Sequence, residues 1–268
     1  MGFITLCHPD EDKSCGACCG LYNWTDHSRG RIARLMHERT DEYLSGMREG
    51  RPPKEIKAML LGVDTPEKLF DPIHNCPFVG FVDQKRRRVG CMIHPANNGG
   101  RELRDISLYG AEICGGHECP SYTYLTETER RGTAAVIDDW YLYGLVICDI
   151  DLVKEFFTIP ADTLGEELRP AVLEDPRVRR AAHAFFSLKE SWPFAAQGRR
   201  FGKYSFSISE YRLERETGAR LLNIGPSRYE KIFISLASEF QTEGDAERAH
   251  RIVGGHMDDF IAAYQTAS

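Results

Sequence analysis

The sequence predicts a mainly α fold in which an irregular, cysteine-rich region with short β segments is followed by a helical region. Three observations carry this reading. Eight of the nine cysteines fall before residue 120, three of them in the run Cys-Gly-Ala-Cys-Cys-Gly from Cys15 to Gly20. Residues 71–124 show little helical or alternating periodicity, whereas the chain beyond Thr126 repeats apolar residues at helical spacing. The change of texture near residue 124 divides the chain into a region 1–124 and a mainly helical region 125–268.

The elements follow in chain order. Phe3–Leu6 is short and β-leaning and leads into Cys7; residues 8–20 read as loop. A helix starts at Asp26 or Ser28, carries Ile32, Leu35, Met36 and Tyr43 on one face, and ends near Gly46 or Gly50. After Arg51-Pro52-Pro53 a second helix covers Lys54–Leu61, closed by Gly62, and Thr65-Pro66-Glu67 has the cap and first-position proline of a further helical turn. Phe78–Val82 and Val89–Ile93 pair as a hairpin across Asp83–Arg88, whose four basic residues, Lys85–Arg88, read as a solvated turn. Asn97–Gly100 is a turn and Cys114–Pro120 a tight loop.

The second region opens with Thr126 and Glu129 as a capping box. The helix behind it is expected to run to about Val146, apolar around most of its circumference, with Asp138 inside it as a carboxylate of interest. Asp149 or Asp151 caps the next helix, Asp151–Phe157, which Pro160 is expected to end. Later helices are expected over 163–173, 176–190, 226–240 and 245–264, and Tyr204–Ile208 has the alternation of a short strand. Cys148 reads as a small buried apolar residue.

Charge and hydropathy exclude several classes. Net charge is −6, shared as 16 basic and 17 acidic residues in 1–124 and 18 and 23 beyond, which disfavours a nucleic-acid or anionic-membrane partner. No apolar run approaches the roughly 20 residues of a membrane span; Ala134–Ile147 is interrupted by Asp138 and Asp139. The acidic start MGFITLCHPDEDK is no secretory signal, and Leu6 stands where myristoylation needs a hydroxyl. The reading is a cytoplasmic protein with no membrane span and no nucleic-acid signature.

Cysteines clustered so unevenly need a cause. Disulfides suit neither a cytoplasmic chain of this length nor an odd count. Metal ligation explains the clustering better than bridges or unligated core thiols. Cys15 and Cys18 form a C-x2-C pair whose turn aims two thiolates at one ion, and Gly16 lets backbone amides approach the sulfurs. The Cys18-Cys19 doublet points to a site with many ligands or to two neighbouring metals. Cys76 and Cys91, 15 residues apart across the hairpin, fit the return half of a zinc or iron site. Cys114 and Cys119 enclose His117, and Cys7 lies eight residues before Cys15. The candidate ligands are Cys7, Cys15, Cys18, Cys19, Cys76, Cys91, Cys114, Cys119 and His117, with His94 and His8 behind them. A thiolate-rich set selects zinc, an iron–sulfur cluster or Cu(I).

The runs CGACCG, CPFVGF and GCMIHP resemble the zinc/iron-chelating cysteine-cluster family of bacteria and archaea, over roughly residues 7–120. The resemblance implies Cys15, Cys18, Cys19, Cys76, Cys91 and Cys114 as ligands of zinc or an iron–sulfur centre. His94 stands where that family usually has tyrosine. Some members are called iron–sulfur oxidoreductases and a flagellin lysine methylase resembles them, so the resemblance also implies an iron–sulfur oxidoreductase or methyl-transfer enzyme as an alternative.

A zinc-stabilised interaction scaffold is the third reading. Other motifs carry less. Glu247-x-x-His250 is one half of a di-iron pattern whose second half is missing from the sequence, and it reads as a solvated helix face. The glycines at Gly198 and Gly202 among basic residues make no recognisable phosphate loop.

Overall fold

Apolar residues at three- and four-residue spacing fold Arg29–Arg48 into helix α1, which buries Ile32, Leu35, Met36, Arg39, Thr40 and Tyr43 on one stripe. The computed structural model describes residues 5–196 and 226–268 of the chain. The described chain is mainly helical and forms two compact units. One is Cys7–Glu118; the other joins Met1–Leu6 to Cys119–Ser268. Among the described residues no helix is long and apolar enough to cross a membrane.

In the first unit α1 packs on α2 (Pro53–Leu61) and on strand β1 (Val79–Phe81). Pro53 sits in the first turn of α2, where its missing N–H leaves no bond unmade. Strand β2 (Val89–Cys91) pairs antiparallel with β1 in the register Val79–Cys91, Gly80–Gly90, Phe81–Val89, as the sequence pattern predicts. The Asp83 carboxylate accepts the backbone N–H groups of Arg87 and Arg88 and so holds the turn. Of the basic run, Arg86 pairs with Asp41 and Arg87 with Asp12. Tyr43, Ile56, Leu60, Phe78, Met92 and Ile93 form an apolar cluster against which Cys76 and Cys91 pack.

Two local expectations in this unit are corrected. No helical turn starts at Thr65; the chain instead runs beside residues 23–25, with Thr25 N donating to Glu67 O at 2.8 Å and a bridge between Trp24 and Lys68. Those long-range backbone bonds take the place of helical ones. Cys114 lies not in a loop but in helix α3 (Gly110–Gly116).

The second unit is a helical assembly. Helices α4 (Pro120–Tyr124) and α5 (Glu127–Val136) open it, and the capping box between Thr126 and Glu129 forms. The expected continuous helix to Val146 does not. Ile137 is extended, and Asp139 accepts the N–H groups of Tyr141 and Leu142 to cap a new helix, α6 (Trp140–Ile147), every residue of which is buried. Asp138 therefore lies in the joint, largely exposed and ion-paired to Arg179 at 2.7 Å, not inside an apolar helix.

Pro160 does not end α7, which runs Ile150–Leu164 and stops at Gly165 in the left-handed conformation, φ 72°. The missing proline N–H removes one helical bond, and the buried face made by Val153, Phe156, Phe157 and Ile159 carries the helix across that gap. In place of a helix over 163–173 there is only α8 (Pro170–Leu173). Helix α9 (Pro176–Phe186) and α10 (Leu188–Ser191) occupy the stretch expected as one helix over 176–190. Helix α11 (Glu230–Ser235) is shorter than the 226–240 expected, and α12 spans Glu243–Ala267 behind a Thr242/Asp245 capping box.

Phe156 meets Phe185, Phe186 and Phe260 at ring-centroid distances of 5.1, 4.5 and 4.7 Å, which fastens α7, α9 and α12 together. Asp149 caps α7 through Leu152 N and also meets Lys189 Nζ at 2.5 Å and Ser235 Oγ at 2.9 Å; the Asp149 and Lys189 side chains are wholly buried. Cys148 is buried, as its setting in the sequence predicts. The strand expected over Tyr204–Ile208, the Gly198–Gly202 stretch, and Phe3 and Ile4 of the expected Phe3–Leu6 strand lie outside the described residues.

Candidate metal centre

The centre grows from a tight turn. Ala17–Cys19 form one 3-10 turn, closed by Gly20 N donating to Ala17 O at 2.9 Å. Gly20 has φ 77°, and a Cβ there would stand 2.4 Å from His74 O, so only glycine allows the turn to press against the chain entering Cys76. The Ala17 N–H points at Cys15 Sγ from 3.5 Å.

Two buried asparagines hold that approach. Asn23 donates to Phe70 O, Ile73 O and Asn75 Oδ1, and accepts from Phe70 N. Asn75 donates to Gly20 O and Asn23 O, both at 3.0 Å. Beside them Cys76 N donates to Cys19 O at 3.0 Å, so the doublet and Cys76 are joined through backbone. The segment before the turn lies along β2: Ser14 Oγ donates to Val89 O at 2.6 Å, and Cys15 N to Cys7 O at 2.9 Å.

These bonds join the Cys7, Cys15–Cys19 and Cys76 stretches and lay Ser14 against β2, which ends at Cys91. The Cys19 thiol is pushed well above its ordinary value, first by burial and then by Cys76, Cys91, Cys7 and Cys114, whose charges reach it. Burial also raises Cys76, against the opposing pull of the Phe78 N–H and the Arg39 guanidinium. Cys91 is pushed up to about 12 by burial and by Cys76, with the Ile93 N–H working the other way. Cys114 Sγ lies 3.7 Å from Ser107 Oγ. None of the nine cysteines forms a disulfide.

The remaining candidates are placed differently. Cys15 and Cys18 share the turn with Cys19 and are half-buried. Cys119 belongs to the helical unit, where it precedes α4 and accepts from Tyr122 N. His117 follows α3, its ring held below its ordinary value by burial. His94 Nδ1 accepts from Ala96 N at 3.1 Å and so caps a 3-10 turn. His8 is lowered by burial, then by Arg88 and His94. Glu247 faces Arg251, and His250 packs its ring on Phe233 and Tyr229, at 5.1 and 5.6 Å.

Among the described residues no group of three or more His, Cys, Asp or Glu side chains stands ready to hold a metal ion. The donor chemistry fits a soft metal, because Cys7, Cys19, Cys76, Cys91 and Cys114 share one neighbourhood within the first unit.

Three features were missed by pattern reading. The Asn23–Asn75 pair joins residues far apart in sequence; its one local signal is Asn75 directly before Cys76. Arg39 occupies a core position on the apolar stripe of α1, a charged residue where the helical period calls for an apolar one. Thr40, Tyr43, Phe81, Val82, Arg86 and Met92 line a cavity of about 370 Å³. Comparison with protein-family models, curated proteins and solved structures finds no match for this chain.

Proposed function

We propose that this protein holds zinc or an iron–sulfur centre through clustered cysteine thiolates. Cys19, Cys76 and Cys91 form its heart, and Cys7, Cys15, Cys18, Cys114 and His117 of the same unit are the further candidate ligands. The observation that supports this is the joining of Cys19 to Cys76 through backbone at 3.0 Å, with Cys76 and Cys91 packed on one apolar cluster and none of the cysteines in a disulfide. A bound metal would replace their protons and cross-link the turn at Cys15–Gly20, the hairpin and α3. The reading goes with a cytoplasmic location, where thiols stay reduced.

A second reading, an iron–sulfur oxidoreductase or methyl-transfer enzyme, draws support from the cavity between α1 and the hairpin. Its volume of about 370 Å³ falls in the range of small-ligand sites, and Met92 in its wall directly follows Cys91. Anaerobic purification with elemental analysis, visible absorbance and acid-labile sulfide tests both. Stoichiometric zinc in a colourless protein supports the first reading in its zinc form; iron with sulfide in a brown protein supports its iron–sulfur form, which the second reading requires. A protein free of both metals under reducing, anaerobic conditions overturns the proposal.

A further inference from the structure

We propose that Arg39 is the built-in counter-cation of the thiolate centre, held inside the fold to balance the negative charge that a bound metal leaves on Cys76 and its neighbours. The inference rests on the metal-binding reading and adds to it a residue that no ligand pattern contains.

Arg39 comes from the buried stripe of α1 and is only 4% exposed. One guanidinium nitrogen, Nη1, donates to Cys76 O at 3.1 Å. Nε is buried and has no hydrogen-bond partner among the described residues. The group also lies 5.7 Å from the centre of the Trp24 ring. Among the described residues no carboxylate is paired with it, and the ligand candidate it touches is Cys76. Burying a cation without a counter-charge is unfavourable by several kcal/mol, and guanidinium cannot readily shed its proton to escape.

Two other cations act on these thiols. Lys57, only partly buried, donates from Nζ to Ile106 O at 2.7 Å, and Arg104 forms a forked pair with Glu102. Arg39 differs in being enclosed, and among the described residues no carboxylate is paired with it. Four thiolates around a divalent zinc leave a net charge of about −2. A cation fixed beside Cys76 offsets part of that charge where water cannot. Protonated thiols offer Arg39 nothing comparable, so the residue is unfavourable in the metal-free fold and favourable in the loaded one.

The sign change is the test. Full-length wild type, Arg39→Met, Arg39→Gln and Arg39→Lys are reconstituted with zinc, titrated with EDTA, and melted with and without the metal. Removing the charge should lower the EDTA concentration that strips half the zinc by about 10- to 100-fold, the range for residues that support ligands without binding metal. Arg39→Met should melt at the wild-type temperature or above it when metal-free, and below it when loaded. Arg39→Lys should retain zinc far better than Arg39→Gln, a comparison that holds even if Arg39→Met fails to fold. An equal drop in melting temperature with and without zinc, or equal retention by Lys and Gln, makes Arg39 a packing residue and overturns the proposal. If wild type takes up no zinc and holds no iron after anaerobic purification, the metal-binding reading falls and this inference with it.

Discussion

Each unit buries a cation, and the two do it in opposite ways. Lys189 of the helical unit is wholly enclosed with Asp149, and Ser235 O accepts from the same ammonium at 2.6 Å. Arg39 of the cysteine unit is nearly as enclosed, at 4% exposed, and donates to a backbone carbonyl, Cys76 O. The buried ammonium of the helical unit thus has its carboxylate in place as the chain folds. The buried guanidinium of the cysteine unit has no carboxylate paired with it among the described residues. On the proposal made above, thiolates held by a metal supply the missing charge.

The sharpest break of the comparison is at Asp149. Asp149→Ala leaves the Lys189 ammonium buried without its carboxylate and strips α7 of its cap. We expect a loss of about 3–5 kcal/mol in unfolding free energy, measured by urea denaturation. Replacing both partners, as Asp149→Leu with Lys189→Met, should recover most of that loss, because the unpaired charge and not the missing attraction is what destabilises. A double variant as weak as the single one would mean that the network, rather than charge burial, sets the effect.

A smaller effect is expected at Asn75. Asn75→Ala removes the buried donors to Gly20 O and Asn23 O and one of the three acceptors around Asn23 Nδ2, for a loss of about 2–3 kcal/mol. The Cys19 and Cys76 thiols should also be alkylated faster, since these asparagines hold the turn against the Cys76 strand. Unchanged alkylation rates would show that the backbone bond between Cys76 and Cys19 suffices alone.

What could be read in advance follows the range of the interactions. The β1–β2 hairpin and the Thr126/Glu129 capping box were legible because alternation, turn residues and a three-residue spacing are local signals. The interruption between α5 and α6 was not, because the apolar period runs through Ile137 to Trp140 unbroken and only the Asp139 side chain, competing for backbone N–H groups, decides against a continuous helix. Pro160 misled for the converse reason: burial of the α7 face outweighs one absent hydrogen bond. At the centre, residue type named the thiols, yet nothing local revealed Asn23 reaching Asn75 or Arg39 reaching Cys76. Those are long-range satisfactions of buried polar groups.

The smallest expected effect concerns the thiols without metal. Cys19, Cys76 and Cys91 all stand above the ordinary thiol value of about 9, Cys91 at about 12. Below pH 9 the folded and unfolded chains both keep these protons, so their contribution to stability is fully present. From pH 9 upward the unfolded chain releases protons that the fold retains, and stability must fall until the folded thiols ionise. Metal-free, reduced protein should therefore show a urea midpoint that declines between pH 9 and pH 11, and Cys91→Ser should flatten that decline. Lysine and tyrosine titration is common to both proteins and cancels in the difference. Zinc-loaded protein should show the reverse dependence and weaken toward acid, where protons compete for the sulfurs. Parallel curves for wild type and Cys91→Ser would mean that the Cys91 thiol is not held apart from solvent. The contrast between a helical unit whose buried cation has its carboxylate and a cysteine unit awaiting charge would then rest on Arg39 alone.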